Sequence, residues 1–178
     1  AVCSGLGVAP QHIGEVMGIF KAYCTRVGSG PFPTELNDEQ GVKLRDEGKE
    51  YGSTTGRPRR CGWLDLTALK YSAMLNGVTS LFMMKTDVLN RFDEISIGTG
   101  YIHEGREIDH VPFDFTQAEF TPSLTVMEGW NDPLEGLHDH SSMPPALTRY
   151  IEFIEEKLEL PIAVVSYGPD RVQTHFRK

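Results

Sequence analysis

The sequence is poor in cysteine, has no long apolar run and has no excess of basic residues. Cys3, Cys24 and Cys61 form no C-x-x-C pair, which favours reduced thiols in a cytoplasmic protein over a disulfide framework. No apolar stretch approaches the roughly 20 residues of a membrane-spanning helix. The N-terminus lacks the basic and then apolar regions of a signal peptide. Because 25 Asp and Glu outnumber 17 Lys and Arg, we expect no binding to nucleic acid or to an anionic membrane.

The composition that remains is that of one globular domain, with 39% hydrophobic residues in a chain of 178. Three segments carry apolar residues at the spacing of an amphipathic helix, and we predict helices over residues 10–25, 64–76 and 145–158. Residues 28–62 and 111–144 show no such periodicity and are predicted to be irregular. A loop as long as the first of these is unusual in a compact domain and is often functional.

Short apolar runs between these segments predict strands. One strand is expected to end near Lys85, and another to open the segment 161–171. Residues 95–113 predict a β-hairpin that turns near Glu104 and Gly105. Helices that alternate with such strands indicate an α/β or α+β fold.

The segment STTGRPRR, residues 53–60, concentrates positive charge in an acidic chain. Its arginines present forked donors that match carboxylates and phosphates. Thr54 and Thr55 add hydroxyl groups, Gly56 allows the backbone to come close to a ligand, and Pro58 stiffens the spacing between the arginines. This combination suits an anionic ligand, such as a dicarboxylate beside a phosphate. The alternative is a solvated basic turn.

The segment MKTDV, residues 84–88, places Lys85 and Asp87 at the end of the predicted strand. A carboxylate there can accept hydrogen bonds from both N1–H and the 2-amino group of guanine, and the lysine stem can lie along the base. The pattern is similar to the N/T-K-x-D guanine signature of GTP-binding proteins. The alternative is a strand end followed by a helix-starting aspartate.

The segment VVSYGPDR, residues 164–171, places Ser166 and Gly168 directly after an apolar strand. Ligands of α/β proteins collect at the carboxyl ends of strands, so these residues could hold the edge of a base. An ordinary turn is the alternative. His138 and His140 could ligate a metal, but no third ligand has a familiar spacing, and a surface loop is the competing interpretation.

Taken in order, four segments resemble the adenylosuccinate synthetase family: TRVGSGPFPTEL (25–36), YGSTTGRPRRCGWLDL (51–66), KTDVLN (85–90) and SYGPDR (166–171). The resemblance covers almost the whole chain. It implies part of a GTP-dependent ligase that joins IMP to L-aspartate through 6-phosphoryl-IMP and forms adenylosuccinate in AMP biosynthesis. The family is cytoplasmic and homodimeric, uses Mg²⁺, and has a P-loop-NTPase-like fold.

The resemblance further implies that residues 1–178 are the C-terminal portion of such an enzyme, with an incomplete central sheet. The family's phosphate loop, catalytic aspartate, catalytic histidine and magnesium contacts lie in its N-terminal half and have no counterpart here. We therefore expect no catalytic residue and no metal ligand in this chain, and no activity of the chain alone. The start at Ala1 leads us to expect a truncated chain or a proteolytic fragment.

Site residues carry over from the family position by position. A mobile loop at about 48–62 is expected to hold the aspartate substrate, and guanine-binding segments are expected at about 83–90 and 165–171. The aspartate contacts would be Ser53, Thr54, Thr55, Gly56, Arg57, Pro58 and Arg59. The IMP contacts would be Val27 and Arg57. The GTP contacts would be Arg59, Lys85, Thr86, Asp87, Ser166, Tyr167 and Gly168.

Three positions depart from the family pattern. Thr86 stands where leucine is common, Asn90 stands where aspartate is common, and the opening GLGVAP is longer than the frequent G-x-G-P. Besides part of a ligase, two other functions are compatible with the sequence: a free-standing guanine-nucleotide-binding or regulatory module, and a structural half that folds only with a partner segment.

Overall fold

The computed structural model describes residues 2–116, 119–132, 134 and 143–177. Its α-helices are α1 (Val2–Leu6), α2 (Glu39–Gly48), α3 (Leu66–Asn76) and α4 (Pro145–Leu158). Single 3₁₀ turns span Pro10–His12 and Thr86–Leu89. In the described part of the chain, none of the helices is both long enough and apolar enough to cross a membrane.

The helix ends follow from local chemistry. The Asp38 side chain accepts a hydrogen bond from the backbone N–H of Gly41 and so begins α2, and Asp65 begins α3 in the same way through Ala68. Gly77 ends α3 in the left-handed conformation that glycine adopts readily.

The central sheet has the order β1 (Met17–Lys21), β5 (Ser80–Met84), β9 (Ile162–Ser166) and β10 (Thr174–Phe176). The first three strands are parallel and β10 is antiparallel to β9. The carboxyl ends of β1, β5 and β9 therefore meet at one edge of the sheet. Parallel strands joined through helices confirm the α/β prediction.

Two smaller sheets complete the fold. Strands β2 (Cys24–Arg26) and β3 (Arg60–Gly62) form an antiparallel pair. The third sheet is built on the long strand β6, which pairs with a short parallel strand and with two antiparallel ones. Its members are β4 (Leu64–Asp65), β6 (Glu94–His103), β7 (Arg106–Ile108) and β8 (Thr121–Glu128).

The core is one apolar cluster that joins α4 to the central sheet and to the third sheet. One face of α4 buries Leu147, Tyr150, Ile151 and Ile154 completely within this cluster, which also contains side chains of β5 and β9. The Tyr150 hydroxyl donates to the carbonyl oxygen of Ala22 at 2.7 Å, which ties the helix to the end of β1. This hydrogen bond fixes the segment that follows β1.

The predictions of the helices at 64–76 and 145–158, of the strands near Lys85 and 162–166, and of the Glu104–Gly105 hairpin are confirmed. The helix predicted over 10–25 is wrong. Its apolar residues fit helical spacing, but residues 17–21 instead pair in parallel with β5, a non-local interaction that outweighs local periodicity.

The prediction that residues 28–62 and 111–144 are irregular is wrong in part. The first segment contains α2 and β3, and the second contains β8. α2 is strongly polar, with few buried residues, so it lacks the apolar stripe that predicts a helix. β8 covers only one side of β6, and Pro122 within it weakens the strand signal.

Candidate functional site

A pocket of about 530 Å³ lies at the carboxyl ends of β5 and β9. Ligands of parallel α/β sheets bind at this edge. Four of the residues predicted to contact guanine line it: Lys85, Asp87, Ser166 and Gly168. Its remaining wall is formed by the end of α2 with Lys49 and by the turn after β9, residues 168–171, with Arg171.

Lys85 and Asp87 reach the pocket because β5 ends in an unusual conformation. Lys85 has a φ of 63°, in the left-handed region, and starts the 3₁₀ turn that presents Asp87. The Lys85 Nζ donates to the carbonyl oxygen of Gly48 at 2.7 Å, which fixes the side chain across the end of α2. Asp87 is exposed, but neighbouring protein atoms shield part of its carboxyl from water. This partial desolvation raises the pKa of the carboxyl.

Thr86 and Tyr167 point elsewhere. The buried Thr86 hydroxyl donates to the carbonyl oxygen of Ser166 at 3.1 Å and so joins the ends of β5 and β9. Tyr167 is also buried, and its hydroxyl donates to the carbonyl oxygen of Val172. Neither side chain lines the pocket, so the departure from leucine at Thr86 falls on a residue that holds the two walls together.

Glu50 is the centre of a charged network between the pocket and the arginine-rich segment. Its side chain is completely buried, and its Oε1 accepts from Lys21 Nζ at 2.8 Å and from Lys85 Nζ at 3.0 Å. The Tyr23 hydroxyl donates to the same oxygen at 2.6 Å. The other oxygen, Oε2, accepts from an Arg59 nitrogen at 2.6 Å.

The electrostatics of this network favour the ionised carboxylate. Burial by itself would raise the pKa of Glu50, but the hydrogen bonds from Lys21, Tyr23, Lys85 and Arg59 outweigh it and lower that pKa to about 2. Three cations surround one carboxylate, so the cluster keeps a surplus of positive charge at the edge of the pocket. An anionic ligand is the natural complement.

The arginine-rich segment forms a loop with a narrow neck and an exposed tip. The neck is closed by hydrogen bonds from Arg59 N–H to the Glu50 carbonyl and from Gly52 N–H to the Arg57 carbonyl, both at 2.9 Å. Residues 53–58, which form the tip, are all exposed. Within the part of the chain that the structure describes, the Arg57 guanidinium forms no ion pair.

The third arginine of the segment has a structural partner. Arg60 makes a two-point contact with the Glu35 carboxylate at 2.8 and 2.6 Å. It also donates to the carbonyl oxygens of Gly28 and Gly30. Arg60 thus fixes the turn that follows Val27, whose own side chain is 80% exposed.

The sequence interpretation missed Lys21, Tyr23 and Glu50, which hold the predicted contacts in place. Glu50 directly precedes the family motif of residues 51–66, and this position is the one sign in the sequence that points to it. The surrounding residues are polar, so the sequence does not show that the side chain is buried. His138 and His140 lie outside the described residues. Among the described residues, no three histidine, cysteine or acidic side chains are grouped so that they could hold a metal ion.

These features define an α/β protein with a ligand pocket at the carboxyl ends of parallel strands and a cluster of three cations around Glu50 beside it. The family model for adenylosuccinate synthetase matches residues 1–175. The adenylosuccinate synthetases of Cytophaga hutchinsonii and Christiangramia forsetii are 56% and 55% identical to this chain over 97% and 98% of its length. The chain belongs to the adenylosuccinate synthetase family, and the resemblance of its motifs is confirmed.

The chain spans only 40% and 41% of the length of those two relatives. Among solved structures, the fully ligated adenylosuccinate synthetase of Plasmodium falciparum superimposes with a TM-score of 0.92 at 36% identity, covering 99% of this chain and 43% of that one. The succinoaminodeoxyadenylate synthetase of cyanophage S-2L has a TM-score of 0.53 at 17% identity, over 98% of this chain and 37% of its own, a likeness of fold alone.

Proposed function

We propose that the chain is the substrate-holding, C-terminal part of a GTP-dependent ligase that joins IMP to L-aspartate through 6-phosphoryl-IMP. The observation that carries the proposal is the pocket at the carboxyl ends of β5 and β9, in which Lys85, Asp87, Ser166 and Gly168 come together. These residues lie about 80 positions apart in two motifs of the family.

The pocket suits guanine. The Asp87 carboxylate has no hydrogen to donate and can accept from both N1–H and the 2-amino group of the base. Adenine has neither donor at these positions, so the same carboxylate disfavours it. Ser166 and the backbone at Gly168 form the opposite wall, and the Lys85 stem borders the base.

The loop suits the anionic substrates. Arg57 is exposed and free to bind the carboxylates of L-aspartate and to contact IMP, with Ser53, Thr54, Thr55, Gly56 and Pro58 around it. Arg59 is fixed at the neck by Glu50, which also holds Lys85 of the guanine pocket, and the remaining donors of Arg59 would contact GTP. The exposed Val27 and the turn after it would lie beside the IMP ribose. Closure of the loop would exclude water from the phosphorylated intermediate.

The remaining chemistry belongs to the rest of the longer protein. The described residues offer no group that fits Mg²⁺, so we assign no step in this chain to the metal. Proton transfer and phosphate binding would likewise come from the N-terminal part. As in the family, the longer protein would be a cytoplasmic homodimer that binds Mg²⁺.

Calorimetric titration of this chain with GDP, ADP and IMP tests the proposal first. Selective, weak binding of GDP would support a guanine half-site that forms without the phosphate loop. Equal binding of GDP and ADP would contradict the assignment of the pocket. A chain of the relatives' full length that contains these residues should form adenylosuccinate from IMP, aspartate and GTP, and should not use ATP equally well.

A further inference from the structure

Glu50 is placed so that it cannot touch a ligand and yet reaches two residues that would. Its side chain is 0% exposed, and each carboxylate oxygen already has a charged partner. Oε1 holds Lys85, which borders the guanine pocket, and Oε2 holds Arg59, which ends the substrate loop. One rigid group therefore sets the positions of both.

The backbone of Glu50 strengthens this arrangement. Its carbonyl oxygen accepts from the N–H of Arg59 at 2.9 Å, and its own N–H donates to the carbonyl oxygen of Arg45 at the end of α2 at 2.8 Å. Arg59 is thus bound to Glu50 through its main chain and its side chain together. A shift of the loop neck must move the carboxylate that holds Lys85.

We propose that Glu50 is a positioning residue that couples the guanine pocket to the substrate loop through the two oxygens of its carboxylate. The inference rests on the function proposed above, because it assigns GTP contacts to Lys85 and Arg59. The coupling links occupancy of the guanine pocket to the position of the arginines that would bind aspartate and GTP.

The variant Glu50→Gln separates the two arms of the network. Its amide oxygen can still accept from Lys85 and Lys21, but its amide nitrogen would face the Arg59 guanidinium, donor against donor. Arg59 should lose its anchor while Lys85 keeps one. A charge-assisted hydrogen bond contributes about 1.5–3 kcal/mol, so the KM for GTP should rise about tenfold or more.

The experiment uses a full-length chain of the family size that contains these residues. The KM values for GTP, IMP and aspartate are measured for wild type, Glu50→Gln, Arg59→Met and the double variant. In the Arg59→Met background, Glu50→Gln should raise the KM for GTP by less than about twofold, because its main target is already gone. A purely structural effect of Glu50→Gln would persist in full in that background.

Glu155→Gln is the matched control. Glu155 also pairs with an arginine, Arg177, at 2.6 and 3.0 Å, but at the amino end of β9, away from the pocket. It should lower stability and leave the KM for GTP unchanged. If the wild type forms no adenylosuccinate, the proposed function is wrong. If it does, and Glu50→Gln changes the KM for GTP by less than about twofold or equally with and without Arg59, only the coupling is wrong.

Discussion

Three arginines of one eight-residue segment have different surroundings. Arg59 and Arg60 lie at the loop neck, each against a carboxylate, whereas Arg57 lies at the exposed tip with no ion pair within the described residues. The same side-chain chemistry therefore serves two purposes. At the neck it determines the shape of the site, and at the tip it remains available for an anion. Changes at the neck should alter stability and binding together, whereas changes at the tip should alter binding alone.

The largest effect is expected at the neck, from Glu50→Gln on stability. The folded-state pKa of Glu50 is about 2 against an ordinary 4.5. The stabilisation that the Glu50 carboxylate contributes is therefore complete above its ordinary pKa, and it is lost as the pH falls toward the folded-state pKa. The shift corresponds to about 3 kcal/mol, and the partial exposure of its cations reduces this to about 2–3 kcal/mol.

Urea unfolding of the wild type and of Glu50→Gln measures this effect. The free energy of unfolding should differ by that amount near pH 7, and the difference should shrink as the pH falls to about 3. A difference that stays constant over this range would show that the carboxylate charge does not stabilise the fold. Glu155→Gln gives the response of an ion pair whose carboxylate is less buried.

Asp87→Asn should change the selectivity for nucleotides strongly. Asp87 is exposed, like Arg57, so the substitution should alter binding and leave the stability of the fold unchanged. The amide cannot accept from both guanine donors, but it can donate to the 2-oxo group of xanthine. We expect the ratio of GDP to XDP affinity to change about a hundredfold. This value is at the upper end of the effects on affinity that follow when a polar group loses its hydrogen-bond partner.

Calorimetry with GDP and XDP on the two chains measures this ratio. Asp93→Asn is the matched control, since Asp93 pairs with Asn131 outside the pocket. The chain with this substitution should keep its preference for GDP over XDP. An unchanged ratio in Asp87→Asn would remove Asp87 from the site.

The sequence was informative where a residue is at least partly exposed and belongs to a motif. Arg57 and Asp87 are exposed and Ser166 is half-buried, and the sequence predicts ligand contacts for all three from their chemistry and from their order in the family motifs. The role of Glu50 could not be predicted, because it depends on three cations that come from β1, from the end of β5 and from the loop neck. Such a group becomes visible only after the strands have been paired.

The pairing of the β-strands is the part of the fold that the sequence predicts least well. Residues 17–21 have apolar spacing that also fits a helix, and only the parallel pairing with β5 decides the outcome. That error hid Lys21, which lies at the carboxyl end of β1. α2 was hidden for a different reason: its caps are clear, but its surface is too polar to show an apolar stripe.

A moderate effect is expected at the tip from Arg57→Leu. Its guanidinium has no ion pair among the described residues, so the free energy of unfolding should change by less than about 0.5 kcal/mol. In a chain of the relatives' full length, the KM for aspartate should rise about tenfold and kcat should fall, because the proposed charge-assisted contact to the substrate is lost.

The matched variant Arg60→Leu should behave in the opposite way. It breaks the two-point contact with Glu35 and the bonds to the turn at Gly28 and Gly30, so its main effect should be on stability. Steady-state kinetics and thermal melts of both variants give the comparison. If Arg57→Leu changed only the KM for GTP, the aspartate assignment of the tip would be wrong.

The smallest effect is expected from Gly48→Ala at the end of α2. A Cβ at Gly48 would lie too close to the Tyr23 hydroxyl and 3.1 Å from Glu50 Cγ, so the network would have to shift. Overpacking of this kind costs about 1–3 kcal/mol, and the helix propensity of alanine returns up to about 1 kcal/mol. The net loss of stability should be about 1 kcal/mol, with a rise of a few-fold in the Kd for GDP.

Gly14→Ala is the control for Gly48→Ala, because a Cβ at Gly14 meets no atom within 4 Å. Thermal melts and GDP titrations of the two variants separate a general effect of alanine from an effect on the network. Since the Gly48 carbonyl also accepts from Lys85 Nζ, a loss of stability without any change in GDP affinity would mean that the neck supports the fold but not the guanine pocket.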